Sequence, residues 1–318
     1  MAGKSSSSNN ETFVILNGGL GNQLFQLSRA IYLNPHGIIH LNQSIGRNRK
    51  NKENVEIFSF ILPAKFKKDF KRNSNVFSKA ANQFLLHRVI ATDDKVIERI
   101  IEKVSFKVIK YSKSILRAKK WKLLLGKGSG YDQKPILSSS NYVLVGYFQS
   151  WRWFDSEINT QILNGIQPVD KSKRYLALAE SAKNQQILMI HIRIGDYKVD
   201  KEFGILTKSY YENSIKLISA GSPHDECWVF SDSIEEARKM LMPLLKDFKL
   251  RFISDEVSTA ESFELLRHGS AYIIANSTFS WWGAQLSYSK NPVVIAPKKW
   301  FQGMPDPQDI CPPHWIRM

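Results

Sequence analysis

Residues 186–197 read QILMIHIRIGDY, and this stretch decides the fold. Ile187, Leu188, Met189 and Ile190 form a short, unbroken apolar run, the pattern of a strand buried on both faces of a parallel sheet. Period-2 alternation then sets His191 and Arg193 on one face, with Ile192 and Ile194 on the other, and Gly195 lets the chain turn. Downstream, similar runs recur at 227–231 (CWVFS), 250–253, 271–275 (AYIIA) and 292–296 (PVVIA). Helical spacing fills the intervals at 208–220, 234–245, 258–266 and 281–287. Short apolar strands separated by helices predict an α/β, doubly wound parallel sheet.

The upstream half is a looser version of the same scheme. A strand is expected at 12–16 (TFVIL), followed by a glycine-rich turn and a helix opening at Gln23, with Leu24, Leu27, Ala30 and Ile31 on one face. Further strands are expected at 38–41 and 142–147, and a helix at 172–183. Asn164-Gly165-Ile166-Gln167-Pro168 is the best linker signal. The expected division is a polar tail at 1–10, an N-terminal domain at 11–167 and a C-terminal domain at 168–318.

Composition narrows the function classes. The chain has 318 residues, 43% of them hydrophobic and 12% aromatic, which suits folded domains and not a disordered chain. Its two cysteines, Cys227 and Cys311, build neither a disulfide framework nor a four-thiolate zinc site. The net charge is +16, and it is concentrated. Residues 45–130 hold 22 Lys/Arg against 7 Asp/Glu, interleaved with Phe58, Phe60, Phe66, Phe70, Phe77 and Phe84. That mixture predicts amphipathic helices with a basic face, either simply solvated or docking on anionic lipid or a phosphate-bearing acceptor. Nucleic acid is not expected, since neither a helix-turn-helix pattern nor the aromatic motifs of single-strand readers accompany the charge. No apolar run approaches the ~20 residues of a membrane span, so the expected location is cytoplasmic or peripheral on a membrane.

In parallel α/β sheets, ligands bind beyond the carboxyl ends of the strands. Polar residues gather there in this chain. Arg193, beside a glycine turn, is placed to grip a phosphate bidentately, or else to pair with Asp196 and shape the turn. His191 on its own reads as readily as a core histidine. Asp232 follows CWVFS, where capping the next helix is favoured over accepting hydrogen bonds from a guanine edge. Asn276, Ser277, Thr278, Phe279 and Ser280 lead into a helix start, a place suited to phosphate; the plainer alternative is a capping turn with Trp281 and Trp282 in the core. Residues 17–22 resemble a nucleotide-binding glycine turn, but Leu24 stands where the dinucleotide fingerprint needs a small residue. There is neither a P-loop nor an Asp-x-Asp, and no metal site is expected.

Taken together, these segments resemble a known family. Gly18-Gly19-Leu20-Gly21-Asn22-Gln23-Leu24-Phe25-Gln26 is similar to the opening motif of the α1,2-fucosyltransferases, glycosyltransferase family 11, and the run from His191 to Tyr197 resembles their His-x-Arg-Arg-Gly-Asp-Tyr motif. Gly146-Tyr147-Phe148-Gln149-Ser150, Phe230-Ser231-Asp232-Ser233, the run from Asn276 to Gly283 and the run from Val294 to Phe301 follow in family order. The resemblance implies a GT-B-like fold of two Rossmann-type doubly wound domains with a cleft between them. It also implies GDP-β-L-fucose as donor, inversion, no metal or cofactor, and an oligosaccharide or lipid-linked glycan as acceptor, at the 2-OH of a terminal galactoside. On this reading Arg193 holds the diphosphate and Asp196, Asp200 or Glu202 is the base. Asn22, Gln23, His191, Asp232 and residues 276–280 complete the GDP-sugar site. Ile194 departs from the pattern, standing where the family has a second Arg. That departure keeps two alternatives in view: another GDP-sugar as donor, or a catalytically impaired GDP-sugar-binding homologue. A bacterial-type enzyme at the inner face of the plasma membrane is the expected setting.

Overall fold

The computed structural model describes residues 10–42, 55–69, 121–126, 130–131, 141–199, 203–221, 223–253, 256–303 and 305–318. The chain divides into two compact units, Met1–Phe58 with Leu62–Ile166, and Ser59–Ile61 with Gln167–Met318. The excursion at Ser59–Ile61 had no signature in the sequence. These residues enter the second unit because β3 (Phe60–Ile61) pairs antiparallel with β7 (Gln167–Pro168). Phe60 is buried there, edge-on to Phe263 at 5.9 Å.

The first unit is built on a five-stranded sheet in the order β4-β2-β1-β6-β5, every pair parallel. Its strands are β1 (Glu11–Ile15), β2 (Ile38–Asn42), β4 (Phe66–Asp69), β5 (Trp121–Leu125) and β6 (Asn141–Val145). Gly18, at φ +72°, turns the chain out of β1 into helix α1 (Leu20–Leu33). The helix begins three residues before the expected Gln23 because Gly19 serves as its N-cap and Gly21 is tolerated inside its first turn. Leu20, Leu24, Leu27 and Ile31 are buried from it, and so are Gln23, Gln26 and Arg29, so α1 is sunk well beyond one apolar stripe.

Two strands correct the reading of the basic segment. The expected amphipathic helices do not hold for its described parts: 66–69 and 121–125 are the two edge strands of the sheet, and Glu56–Ser59 is a single 3-10 turn. Backbone pairing with β2 and β6 overrides local propensity here. Lys67 and Lys68 are exposed on β4, as expected for an edge strand that avoids pairing with other chains. The remainder of 45–130 lies outside the described residues. Helix α2 (Glu157–Asn164), capped by the Ser156 side chain on the Asn159 amide, closes the unit.

The second unit carries a six-stranded sheet in the order β10-β9-β8-β11-β12-β13, parallel throughout. The strands are β8 (Ile187–Ile192), β9 (Glu226–Ser231), β10 (Leu250–Ile253), β11 (Ala271–Ile273), β12 (Val293–Ala296) and the short β13 (Ile316–Arg317). Between them run α3 (Lys173–Ala182), α4 (Lys208–Gly221), α5 (Ile234–Leu241), α6 (Thr259–Leu266) and α7 (Thr278–Gln285). Helix α5 stops at Leu241, four residues short of the expected end, because Pro243 lacks the amide that would continue it. Helix α7 starts three residues early, with the Trp281 amide donating to the Ser277 carbonyl at 3.0 Å.

Every residue of β8 is buried. Leu188, Ile190, Ile192 and Ile194 pack in one cluster with Tyr211, Ile215, Val229 and Leu241. Ile194 is therefore a core residue on the face opposite His191 and Arg193, where a second arginine would be buried away from the strand-end face. Strand order then locates the place for a ligand. From β8 the chain moves outward to β9 and β10 on one side, and to β11, β12 and β13 on the other. The progression reverses between β8 and β11, so the loops after these two strands splay apart and leave a crevice at the carboxyl edge.

Candidate active site

The crevice is flanked by residues 193–198 after β8 and residues 274–280 after β11. Arg193 donates through Nε to one Asp196 carboxylate oxygen at 2.9 Å and through Nη2 to the other at 2.7 Å. Its Nε also lies 3.3 Å from an Asp232 oxygen. Burial works against the guanidinium's charge, but hydrogen bonds to Asp196 and the charges of Asp232 and Asp196 outweigh it and raise its pKa. The internal pair with Asp196, one of the two readings of this arginine, is thus the arrangement observed. The Asp196 side chain is 59% exposed, so an incoming dianion competes for Arg193 with a solvated carboxylate.

Asp232 does not cap α5, contrary to the favoured reading. The N-cap is Ser233, whose side chain accepts no helix amide and donates to Glu236 Oε1 at 3.0 Å instead. The Asp232 carboxylate instead accepts from the Ile194 amide at 2.9 Å and the Gly195 amide at 3.0 Å. It fixes the turn that carries Arg193. A Cβ on Gly195 would fall 2.7 Å from Asp232 Oδ2, so this approach requires glycine. Each Asp232 oxygen is thus engaged by one backbone amide.

His191 is buried, and its Nδ1 has no hydrogen-bond partner among the described residues. Burial, assisted by the nearby Arg193 charge, lowers its pKa from 6.5 to about 3, so the imidazole is neutral at ordinary pH. Its ring lies 5.8 Å from that of Phe279, the second residue of α7. Neutral imidazole, guanidinium and the start of a helix thus meet at the crevice.

The start of α7 is open. Ser277, extended at φ −128°, makes no capping bond with its side chain, and the first amides of any helix lack intrahelical partners. The amides of Thr278, Phe279 and Ser280 and the positive end of the helix dipole suit an anion. The Ser280 hydroxyl itself is buried and turns back to the carbonyls of Ser277 at 3.2 Å and Ala275 at 3.5 Å. Asn276 is a structural staple: its Nδ2 donates to the carbonyls of Phe203 (2.8 Å), Gly204 (3.2 Å) and Trp300 (3.1 Å). Trp281 and Trp282 are fully buried, as the plainer reading of this turn has them. Tyr197 stacks on Phe203 at 4.9 Å and donates to the Asn276 carbonyl at 2.9 Å, an aromatic wall that sequence spacing did not single out. Asp200 and Glu202, the other two candidate bases, lie outside the described residues.

In the first unit, Gln23 is buried, receives the Ile57 amide at 2.8 Å and donates to the Gly18 carbonyl at 2.8 Å. It holds a loop together and presents little to a ligand. Asn22 is half-buried and accepts from Gln149 Nε2 at 2.8 Å. The turn at 17–22 does receive an anion, but one from the chain itself: the Leu20 amide donates to the Glu56 carboxylate. Among the described residues, no group of three or more His, Cys, Asp or Glu is arranged to hold a metal ion, and no helix is long and apolar enough to cross a membrane.

The chain is 26% identical over 311 residues to an Escherichia coli protein named alpha-1,2-colitosyltransferase, covering 95% of this chain and 97% of that one. It is 28% identical over 315 residues to the Escherichia coli O-antigen biosynthesis glycosyltransferase WbnK, covering 91% and 94%. Among solved structures, it is similar to Escherichia coli ADP-heptose LPS heptosyltransferase II, with a TM-score of 0.48 and 10% identity over 97% of this chain and 90% of that one. Glycosyl transferase family 11 matches across residues 12–318, and the chain belongs to that family of glycosyltransferases.

Proposed function

We propose that the enzyme transfers L-fucose from GDP-β-L-fucose, with inversion, to the 2-OH of a terminal galactoside on an oligosaccharide or lipid-linked glycan. The observation that carries this reading is the crevice between β8 and β11, where Arg193, neutral His191 and the uncapped start of α7 converge. In the transfer, the bond from C1 of the sugar to the β-phosphate oxygen breaks, the acceptor oxygen bonds to C1 from the opposite face, and its proton passes to a base. The transition state is oxocarbenium-like, so stabilising the departing diphosphate contributes much of the rate. Arg193 supplies that charge after exchanging Asp196 for phosphate, and the amides of residues 278–280 supply the rest. Freed from Arg193, Asp196 joins Asp200 and Glu202 as a candidate base. No step is assigned to a metal or cofactor.

Ile194 does not argue for an impaired enzyme, because its side chain belongs to the core. A second donor is favoured by one specific finding, the similarity to an alpha-1,2-colitosyltransferase, whose name denotes transfer of a different sugar. The two readings separate in one experiment: incubation with GDP-fucose and other GDP-sugars against a galactoside panel, with product mass and NMR linkage. Transfer of another sugar alone overturns the fucosyl assignment. Turnover no higher than the buffer background would return the chain to a binding role. The exposed Lys67 and Lys68 support placing the basic segment against an anionic membrane surface, as a peripheral cytoplasmic enzyme would have it. Co-sedimentation with anionic but not neutral liposomes is expected, and equal binding to both would remove the electrostatic argument.

A further inference from the structure

The turn that carries Arg193 is tied in three directions by three successive side chains. It is tight, with the Lys198 and Val199 amides donating to the Ile194 and Asp196 carbonyls at 3.1 Å each. Asp196 holds the Arg193 guanidinium, and Lys198 pairs with Glu236 of α5 at 2.6 Å. Tyr197, between them, reaches the residues after β11, its hydroxyl donating to the Asn276 carbonyl at 2.9 Å. These ties are unequal. The Asp196 carboxylate is the one exchanged for phosphate in the proposed transfer. The Lys198 and Glu236 side chains are 50% and 41% exposed, and an ion pair so solvated holds little. The Tyr197 hydroxyl instead meets a residue that is only 3% exposed, where water competes poorly for the bond.

Asn276 is a fixed post, since its Nδ2 already binds the carbonyls of Phe203, Gly204 and Trp300. It directly precedes Ser277, the N-cap of α7. The Tyr197 ring is held in its turn. It stacks on Phe203 with the planes 15° apart, and Phe203 lies 5.6 Å from Phe301, whose amide donates to Asp306 at 2.7 Å. The Arg193 guanidinium sits over the same tyrosine ring, 5.7 Å from its centroid. The Tyr197 hydroxyl thus connects the strand end that bears the cation with the helix start that offers the amides.

We propose that Tyr197 is a positioning residue: its bond to Asn276 sets the separation of Arg193 from the start of α7, so that both meet one diphosphate without rearrangement. This deepens the GDP-sugar reading above and rests on it. The tie matters most once phosphate has displaced Asp196, because Arg193 then loses its bidentate partner while the turn has to keep its place. Asp232, following β9, holds the Ile194 and Gly195 amides and fixes the turn on that side. Tyr197 fixes it on the side of β11, the direction that decides how far the cation stands from the helix amides.

The test uses GDP and the full-length protein, wild type against Tyr197→Phe, which keeps the ring beneath Arg193 and removes only the hydroxyl. Loss of one hydrogen bond is expected to weaken GDP about fivefold by calorimetry. The KM for GDP-fucose should rise by a similar factor, with the KM for the galactoside unchanged; a rise confined to the galactoside overturns the inference. The specific readout is a double-mutant cycle with Arg193→Ala, followed by ligand-observed NMR, which reads weak binding. In that background Tyr197→Phe should change the affinity for GDP no further. A hydroxyl that merely stabilises the fold weakens GDP equally in both backgrounds, and that result overturns the inference, as does wild-type affinity in Tyr197→Phe. Should Tyr197→Phe fail to fold, Phe203→Leu, which keeps the hydroxyl and removes the ring stacked on it, goes through the same cycle. Weakening that depends on Arg193 supports the inference; wild-type affinity, or weakening independent of Arg193, overturns it. No GDP binding by the wild type refutes the diphosphate reading separately.

Discussion

Replacing His191 by Phe isolates what the buried imidazole costs the fold in acid. In the native state burial and the Arg193 charge hold its pKa at about 3, against 6.5 in an unfolded chain. Above pH 6.5 neither state carries the proton. Between 6.5 and about 3 only the unfolded chain does, so stability falls as the pH falls through that window and is not recovered on the acid side. At about pH 5 the gap is roughly 1.5 units, which at about 1.36 kcal/mol per unit is about 2 kcal/mol. Urea denaturation of wild type and His191→Phe at about pH 7.5 and about pH 5 reads this directly. Phenylalanine retains a ring beside Phe279, and the remaining titrating groups, including His268 with its own burial-lowered pKa, are common to both proteins and largely cancel. The wild type should lose about 2 kcal/mol more than the variant on acidification. Equal losses would refute the buried, neutral imidazole, and with it the picture of His191 as an uncharged neighbour of the diphosphate.

Other perturbations follow from the same geometry. Asp232→Asn places an amide donor where the Asp232 carboxylate accepts from the Ile194 and Gly195 amides, so a destabilisation of about 2–3 kcal/mol is expected in denaturant melts; an unchanged midpoint would show that the turn is held by other means. Asp196→Asn loosens a bidentate clamp on Arg193, so GDP should bind several-fold tighter by calorimetry, and weaker binding would mean that Asp196 organises the site for phosphate instead of competing with it. Gly283→Ala would bring a Cβ within 2.4 Å of Leu266 Cδ2 on the α6–α7 contact, costing about 1–3 kcal/mol of thermal stability. A neutral result there would show that the two helices repack freely.

Much of the second unit was legible because its strands are apolar runs buried on both faces, and such runs announce themselves without a partner. The ends of elements were less so. Helical spacing continues past Pro243, which ends α5, and Gly19 and Gly21 conceal the true start of α1. The edge strands were misread for a physical reason: β4 and β5 carry lysines, and what makes them strands is backbone pairing to β2 and β6, which no local pattern records. The site was legible as a set of segments, not as a set of roles. The His191 ring does lie 5.8 Å from that of Phe279 at the start of α7, with Arg193 two residues further along the same strand end. Asp232 was assigned to its nearest helix, whereas its partners, the Ile194 and Gly195 amides, sit on a strand end far back in the sequence.

On the proposed function, the crevice between β8 and β11 receives the diphosphate of a GDP-sugar through Arg193. Isothermal calorimetry of GDP with the full chain and with Arg193→Ala tests it most directly. Loss of a charge-assisted contact predicts weakening of about 2–3 kcal/mol, roughly 30- to 150-fold, together with loss of transfer and a melting temperature close to wild type. GDP bound by the variant with wild-type affinity would contradict the claim.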